Sequence, residues 1–261
     1  MSALASLFRW FSSERSICPL CGQAGGGGAT ERRIPIRHPE ARKPLQALCG
    51  ACLAAIPWIA HPLCRTCGRG QPCEDCARRT TRHFELCRCA VRYDERMKEW
   101  LALYKYRGHE GLEPILAAML AFAFERLTDA AQASSVGGPA FRAITGVPLS
   151  VDRERERGFN QAERLAKYIS GWYGIPYVPT LRRVRHTEKQ SLKSRRSRVT
   201  DMRGIFAKAD TGSNLSSIAG ETCNFLLLDD VYTTGSTMNE CARVLSDGDV
   251  NVRVYGLALA R

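Results

Sequence analysis

Residues 225–237 read FLLLDDVYTTGST, which is the pattern of a strand, a loop and the start of a helix. Its first four residues, 225–228, have the length and composition of a strand that is buried on both faces of a sheet. The strand delivers two adjacent acids, Asp229 and Asp230, and a loop rich in threonine, serine and glycine then opens a helix. Ligands of open α/β sheets bind at the carboxyl ends of the strands, so this stretch predicts a binding site there.

The composition of the loop indicates what it would bind. Hydroxyl groups and the N–H groups at a helix start suit a phosphate, and a glycine lets the backbone approach it closely. Two adjacent carboxylates suit a vicinal diol or a hydrated Mg²⁺. The plainer alternative is a strand–turn–helix corner with aspartate in the turn and threonine as the cap. The candidate phosphate ligands are Thr233, Thr234, Gly235, Ser236 and Thr237.

From residue 90 onward, helical patterns alternate with short apolar runs. This alternation predicts an α/β fold with a parallel sheet. The predicted strands are Ala143–Leu149, Asn224–Leu228 and Val250–Ala258. The predicted helices are Asp94–Tyr106, Leu112–Leu127, Gln161–Tyr173 and Thr237–Leu245, with Asn160 as the N-cap of the third.

Residues 1–89 differ from the rest, since ten of the twelve cysteines precede residue 90. Apolar periodicity is sparse there, so we expect a metal to stabilise a small core. Four CxxC units supply eight thiols, enough for two closed tetrahedral zinc sites of structural type. The candidate ligands are Cys18, Cys21, Cys49, Cys52, Cys64, Cys67, Cys73 and Cys76.

The pairing of the four units is open at this stage. Sequential pairing, first with second and third with fourth, is favoured because only five residues separate Cys67 from Cys73. A cross-brace is the competing scheme, and redox-active CxxC is the competing chemistry. We expect Cys87, Cys89, Cys223 and Cys241 to be packing thiols rather than ligands.

Residues 226–237 (LLLDDVYTTGST) resemble the phosphoribosyl-diphosphate motif of type I phosphoribosyltransferases. Further segments are similar to the ComF family, which has competence and GntX-like members. They are YKYRG at 104–108, VPLS at 147–150, RERGFNQAERLA at 155–166 and EKQSLKSRRSRVTDMRGIF at 188–206. CxxC pairs ahead of such a domain match as well. The resemblance implies a type I phosphoribosyltransferase-like sheet at 90–261, preceded by a double zinc ribbon at 1–89.

The resemblance also implies roles for individual residues. Asp229 and Asp230 would be the catalytic pair and hold the ribose hydroxyls, with Mg²⁺ accompanying phosphoribosyl diphosphate. The threonine-rich loop would hold the 5′-phosphate. Lys105 and Arg157 are candidates for the diphosphate, although Lys105 could equally extend its ammonium to solvent from a helix end. Asp201 stands where many relatives have asparagine, within a basic stretch that would cover the site.

Charge and hydropathy restrict the class of protein to which the chain could belong. The formal charge is +12 and the hydrophobic content is 44%, typical of a globular chain. No apolar run is long enough to span a membrane, and Arg9 interrupts the apolar N-terminus, so we expect a cytoplasmic protein. Residues 181–203 carry nine Lys/Arg and two acids. They could close over a diphosphate, track a nucleic-acid backbone, or form a solvated loop.

Two functions follow as hypotheses. The first is transfer or sensing of a phosphoribosyl group in a ComF-type role linked to DNA uptake and natural transformation. The second is a non-catalytic single-stranded DNA-binding or regulatory factor that uses phosphoribosyl diphosphate only as a ligand. Other competence or DNA-processing proteins are the expected partners. No Ser–His–Asp or HExxH pattern occurs, so the sequence does not indicate acid–base catalysis by histidine.

Overall fold

The computed structural model describes residues 17–23, 34–106, 109–133, 140–184, 203–210, 223–247 and 251–261. Its helices are α1 (Pro39–Gln46), α2 (Gly50–Ala54), α3 (Glu74–Ala77), α4 (Glu95–Tyr106), α5 (Glu113–Gln132), α6 (Val151–Arg157), α7 (Gln161–Tyr173) and α8 (Ser236–Ser246). Its strands are β1 (Cys87–Val91), β2 (Phe141–Gly146), β3 (Leu181–Arg183), β4 (Phe206–Lys208), β5 (Cys223–Val231) and β6 (Val252–Ala260).

A four-stranded parallel sheet in the order β1–β6–β5–β2 forms the centre of the protein. Leu226 of β5 lies opposite Tyr255 of β6 on one side and Ile144 of β2 on the other. A separate antiparallel pair joins β3 to β4. The predicted α/β fold with a parallel sheet flanked by helices is confirmed.

The apolar run of β5 contributes to both faces of the sheet. Leu226 and Leu228 pack in the core formed with α5 and α7, whereas Leu227 packs in the core formed with α8. Successive side chains of a strand point to opposite faces, so a strand covered by helices on both sides is apolar at every position. The longest helix, α5, is largely buried, and within the described ranges no helix has both the length and the hydropathy to cross a membrane.

Several element bounds differ from the sequence-based expectation. β5 continues three residues past Leu228 because Asp229 and Val231 still pair with β6. β2 ends at Gly146 rather than Leu149, which leaves residues 147–150 as a loop at the carboxyl edge. The N-cap of α7 is as predicted, since the Asn160 side chain accepts hydrogen bonds from the N–H groups of Ala162 and Glu163.

Seven elements were not predicted from the sequence, namely α1, α2, α3, α6, β1, β3 and β4, and β1 joins the cysteine-rich part to the sheet. α6 was interpreted as an exposed charged stretch, and β1 was not assigned to a strand. β1 spans the predicted domain boundary at residue 89/90 and pairs with β6. Ile36 and Leu45 share the α5 core, while Ile59 and Phe84 share the α8 core. The described cysteine-rich residues therefore pack against both faces of the sheet, and the division into two domains stays a prediction.

Candidate functional site

The acidic pair lies in the last residues of β5, at the carboxyl edge of the sheet. Asp229 and Asp230 are half-buried, and the Asp230 N–H donates to Asp229 Oδ1 over 2.9 Å. The Lys105 ammonium, from the last turn of α4, makes an ion pair with the Asp230 carboxylate, and its side chain is 14% exposed. The structure thus brings three of the predicted site residues together, although Lys105 and Asp230 are 125 positions apart in the chain.

The two carboxylates have opposite pKa shifts. Burial raises the pKa of Asp229 well above its ordinary value, and the neighbouring charge of Asp230 raises it further. Burial also opposes ionisation of Asp230, but the Lys105 ammonium outweighs it and lowers the pKa of Asp230. Over the interval between these pKa values the pair carries one proton and one negative charge. A cation bound there would displace the proton from Asp229.

Arg157, at the end of α6, adds positive charge next to this pair and contributes to the lowered pKa of Asp230. Its guanidinium donates to Gln161 Oε1 over 2.7 Å and to the Tyr106 hydroxyl over 2.9 Å. These contacts hold Arg157 beside the last turn of α4, which also carries Lys105. The two predicted cations therefore lie on the same side of the acidic pair.

The loop after β5 is tightly built around Gly235. This residue adopts a left-handed conformation with φ +76° and lies immediately before the first residue of α8. The Thr234 and Ser236 hydroxyls lie 2.9 Å apart, and both side chains are buried. Thr233 is exposed and Thr237 is half-buried at the helix start. The five predicted phosphate ligands form one continuous loop that leads into the positive end of a helix.

We expect Gly235→Ala to disrupt this loop. A Cβ at position 235 would lie 2.0 Å from the Tyr232 hydroxyl, and Tyr232 is only 2% exposed, so its ring has little room to move. The left-handed backbone adds about 1–2 kcal/mol of strain for alanine. Thermal denaturation and titration with phosphoribosyl diphosphate should show lower stability and an affinity at least about tenfold weaker.

Gly171→Ala is the matched control, because Gly171 lies within α7 and a Cβ there meets nothing within 4 Å. Alanine should stabilise that helix by about 1 kcal/mol and leave ligand affinity unchanged. An unaltered affinity in Gly235→Ala would contradict the assignment of the loop as a phosphate site.

The eight predicted metal ligands form two clusters, each with its four sulfur atoms within 4.8 Å of one another. Cys21 and Cys49 lie 3.7 Å apart in the first, and Cys67 and Cys73 lie 3.6 Å apart in the second. Tetrahedral zinc with Zn–S bonds of about 2.3 Å needs sulfur atoms roughly 3.8 Å apart, so both clusters could hold such an ion. The members are Cys18, Cys21, Cys49 and Cys52, then Cys64, Cys67, Cys73 and Cys76. Sequential pairing is confirmed, and the cross-brace is not formed.

Each cluster holds one thiol that ionises easily. Burial opposes ionisation of Cys18, but backbone N–H donors, chiefly that of Cys49, lower its pKa to about 6. In the second cluster burial is again outweighed, by the Cys76 backbone donor and the Arg261 charge, and the pKa of Cys73 falls to about 7. Thiolates are the metal-binding form of cysteine, so both clusters are prepared for a cation. Cys87, Cys89, Cys223 and Cys241 are buried in the cores, as expected of packing thiols.

Arg261 connects the second cluster to the predicted phosphate loop (residues 233–237). Its guanidinium donates to Cys73 Sγ over 3.0 Å and to the Thr233 carbonyl over 2.5 Å, and it lies 3.5 Å from the Asp75 carboxylate. The side chain is 3% exposed and stacks on the Tyr232 ring, 4.5 Å from its centroid. Sequence reasoning missed Arg261, since it belongs to no motif and its partners are distant in the chain.

Two further contacts tie the cysteine-rich part to α8 and its loop. The Arg79 guanidinium donates to the Thr234 carbonyl over 2.7 Å. The His83 N–H donates to Asn239 Oδ1 over 3.0 Å. The second cluster and the phosphate loop are one connected unit.

The basic stretch at 182–203 is described only in part. Arg182 and Arg183 lie in β3, and the Arg183 guanidinium lies 5.8 Å from the centre of the Phe206 ring. Residues 185–202, including Asp201, lie outside the described residues. The three roles considered for this stretch therefore stay predictions.

No protein-family model matches the chain, but several known proteins are similar to it in sequence. The chain is 30% identical to competence protein ComFC of Bacillus subtilis, over 94% of this chain and 95% of that protein. It is 30% identical to competence protein F of Haemophilus influenzae, over 82% and 90%. It is 33% identical to DNA utilization protein YhgH of Salmonella typhi, over 47% and 52%. Among solved structures, the allosteric regulatory enzyme of purine biosynthesis aligns with a TM-score of 0.31 at 17% identity, over 66% of this chain and 31% of that one.

Proposed function

The chain belongs to the ComF family of competence proteins, and from this premise we propose that it binds phosphoribosyl diphosphate with Mg²⁺ at the carboxyl end of β5 and transfers or senses the phosphoribosyl group. The carrying observation is the direct succession of the half-buried acidic pair and the glycine-centred loop that opens α8. The acids suit the ribose hydroxyls, and the loop suits the 5′-phosphate.

Diphosphate is a good leaving group, so its departure from the donor needs no acid–base residue of the protein. The bond from ribose C1 to the diphosphate oxygen breaks, and diphosphate leaves with the electron pair. The nucleophilic atom of the acceptor then bonds to C1 and gives up its proton to solvent. Positive charge develops on the ribose next to Asp229 and Asp230, and negative charge on the diphosphate is open to stabilisation by Lys105 and Arg157. Bound Mg²⁺ would neutralise part of the diphosphate charge.

Calorimetric titration of the full chain with phosphoribosyl diphosphate, with and without Mg²⁺, tests the binding. We expect saturable binding that strengthens with Mg²⁺ and weakens when ribose 5-phosphate replaces the donor. A diphosphate-release assay with candidate acceptors then separates transfer from sensing. Equal, weak binding of donor and ribose 5-phosphate, with no effect of Mg²⁺, would overturn the proposal.

The second candidate is a single-stranded DNA-binding or regulatory factor for DNA uptake. The formal charge of +12 favours it, as does the name of the YhgH relative. Two zinc–tetrathiolate sites would lower the charge to about +8. Several arginines already have partners, since Arg78 pairs with Glu74 and Arg82 donates to Thr66. Binding dominated by phosphate neutralisation would weaken linearly with salt on logarithmic axes, and a salt-independent affinity would exclude it. In either case we propose a cytoplasmic protein with other competence or DNA-processing proteins as partners.

A further inference from the structure

A cavity of about 740 Å³ opens beside the phosphate loop, and the roles proposed above leave it without an occupant. Thr233 and Thr234 line the cavity and also belong to the loop. Its opposite wall comes from the cysteine-rich part and includes Trp58, Ile59 and Arg69. The volume is within the range of small-molecule sites. A molecule bound here would contact the same loop as the proposed donor.

The cavity lies beyond the carboxyl ends of three adjacent strands. Val91 of β1 and Val231 of β5 both pair with Ala260, the last residue of β6. The cavity is lined by Val231 and by residues that directly follow β1 and β6, namely Arg92 and Arg261. This edge is where parallel sheets place their ligands, so the cavity adjoins the proposed donor site on the side away from β2.

The lining combines flat apolar surface with positive charge. Trp58 and Tyr93 line the cavity; the Trp58 ring makes an edge contact with Phe122 at 4.8 Å, and the Lys98 ammonium lies 5.8 Å from the centre of the Tyr93 ring. Tyr93 is 38% exposed, so part of its surface remains open to a partner. Aromatic walls of this kind favour a planar ring, which stacks on them with little loss of conformational freedom.

The acidic side chains of the lining are already engaged. Asp75 lies against Arg261, and Asp94 Oδ1 accepts the Met97 N–H over 2.9 Å at the start of α4. Arg69 and Arg92 also line the cavity, and no ion pair within the described ranges involves them. The charge offered to an occupant is therefore positive, which favours an anion and disfavours an amine or another cation.

We propose that this cavity binds the phosphoribosyl acceptor, and that the acceptor is an aromatic nitrogen heterocycle with an acidic substituent, either a carboxylate or a phosphate. This inference rests on the proposed function. The ring packs on Trp58 and Tyr93, and the acid pairs with Arg92 or Arg69. In the transfer, a ring nitrogen forms the bond to ribose C1, diphosphate leaves with the electron pair of the broken C–O bond, and any proton on that nitrogen passes to solvent.

The test uses the zinc-loaded full chain and three probes in direct calorimetric titrations. Pyridine-3-carboxylate is the aromatic carboxylate, pyridine-3-carboxamide is its uncharged match, and adenosine 5′-monophosphate carries the acid as a phosphate. We expect one or both acids to bind at least about tenfold more tightly than the carboxamide. The tighter of the two acids identifies the substituent. Equal affinity for all three probes, or no binding of either acid, overturns the inference.

Variants locate the binding. Arg92→Gln and Arg69→Gln, each at the cavity wall, should weaken the tighter acid by about tenfold. Arg96→Gln makes the same chemical change on the exposed surface of α4, outside the cavity lining, and should leave it unaltered. If Arg96→Gln weakens the affinity for the acid as much as Arg92→Gln does, the acid does not bind in this cavity.

Donor titration separates the two proposals. If phosphoribosyl diphosphate binds but neither acid does, the acceptor inference fails while the proposed function stands. If an acid binds at the cavity but the donor does not bind, the proposed function fails, and with it the role of the cavity as an acceptor site.

Discussion

Replacing Asp229 and Asp230 together by asparagine is expected to weaken binding of phosphoribosyl diphosphate with Mg²⁺ by about 100-fold or more, because two charged hydrogen-bond acceptors are lost. Asparagine is used rather than alanine because both side chains are half-buried. It keeps their volume beside Lys105. Calorimetry measures the affinity, and thermal denaturation with zinc analysis checks the fold. Unchanged affinity in a folded double variant would remove the acidic pair from the site.

The pH profile gives an independent signature of Asp229. Because its pKa is raised, Asp229 is protonated at pH values below that pKa, and there it would have to lose its proton for Mg²⁺ and the donor to bind. Affinity should therefore rise by up to about tenfold per pH unit below that pKa and level off above it. The raised pKa of Asp229 has the opposite effect on stability. The folded chain binds this proton more tightly than the unfolded chain, so the free energy of unfolding falls as pH rises towards that pKa. Asp229→Asn should abolish the affinity profile, and a persisting profile would assign the proton to another group.

Loss of metal from the second cysteine cluster is expected to reduce donor affinity at least about tenfold, whereas loss from the first should not. Arg261 and Arg79 couple the second cluster region to the loop carbonyls of Thr233 and Thr234. The first cluster packs in the other core, against α5, and none of its described contacts reaches the loop. Structural zinc is worth roughly 10–16 kcal/mol in zinc-finger peptides, so its removal leaves the surrounding residues unsupported.

Cys64→Ser removes a ligand of the second cluster without deleting the Arg261 contact, and Cys21→Ser is the matched change in the first. Metal analysis should fall from two zinc ions per chain towards one in each variant. Titration with phosphoribosyl diphosphate should show the affinity loss in Cys64→Ser but not in Cys21→Ser. Arg261→Gln should reproduce that loss with both metals retained. Equal losses in the two cysteine variants would contradict a specific connection.

Local patterns predicted much of the fold because their physical cause lies within a few residues. The run Phe225–Leu228 is apolar at every position since both faces of β5 are covered, and the Asn160 cap bonds N–H groups two and three residues away. CxxC spacing brings two thiols to one ion, which is why all eight metal-cluster members were identified. β1 was not predicted because Cys87 and Arg88 are not typical strand residues. Both are buried by residues that are distant in the chain.

By itself the sequence determined the parallel α/β class, the positions of the two clusters along the chain and the order of acids, loop and helix. Three contacts became visible only in the folded chain: the pairing of Lys105 with Asp230, the formation of the sequence-favoured CxxC pairs, and the Arg261 bridge between the second cysteine cluster and the predicted phosphate loop. The difference lies in how far apart in the chain the contacting residues are. Periodicity and capping report contacts within a turn or two, whereas a hydrogen bond between residues 188 positions apart leaves no local pattern.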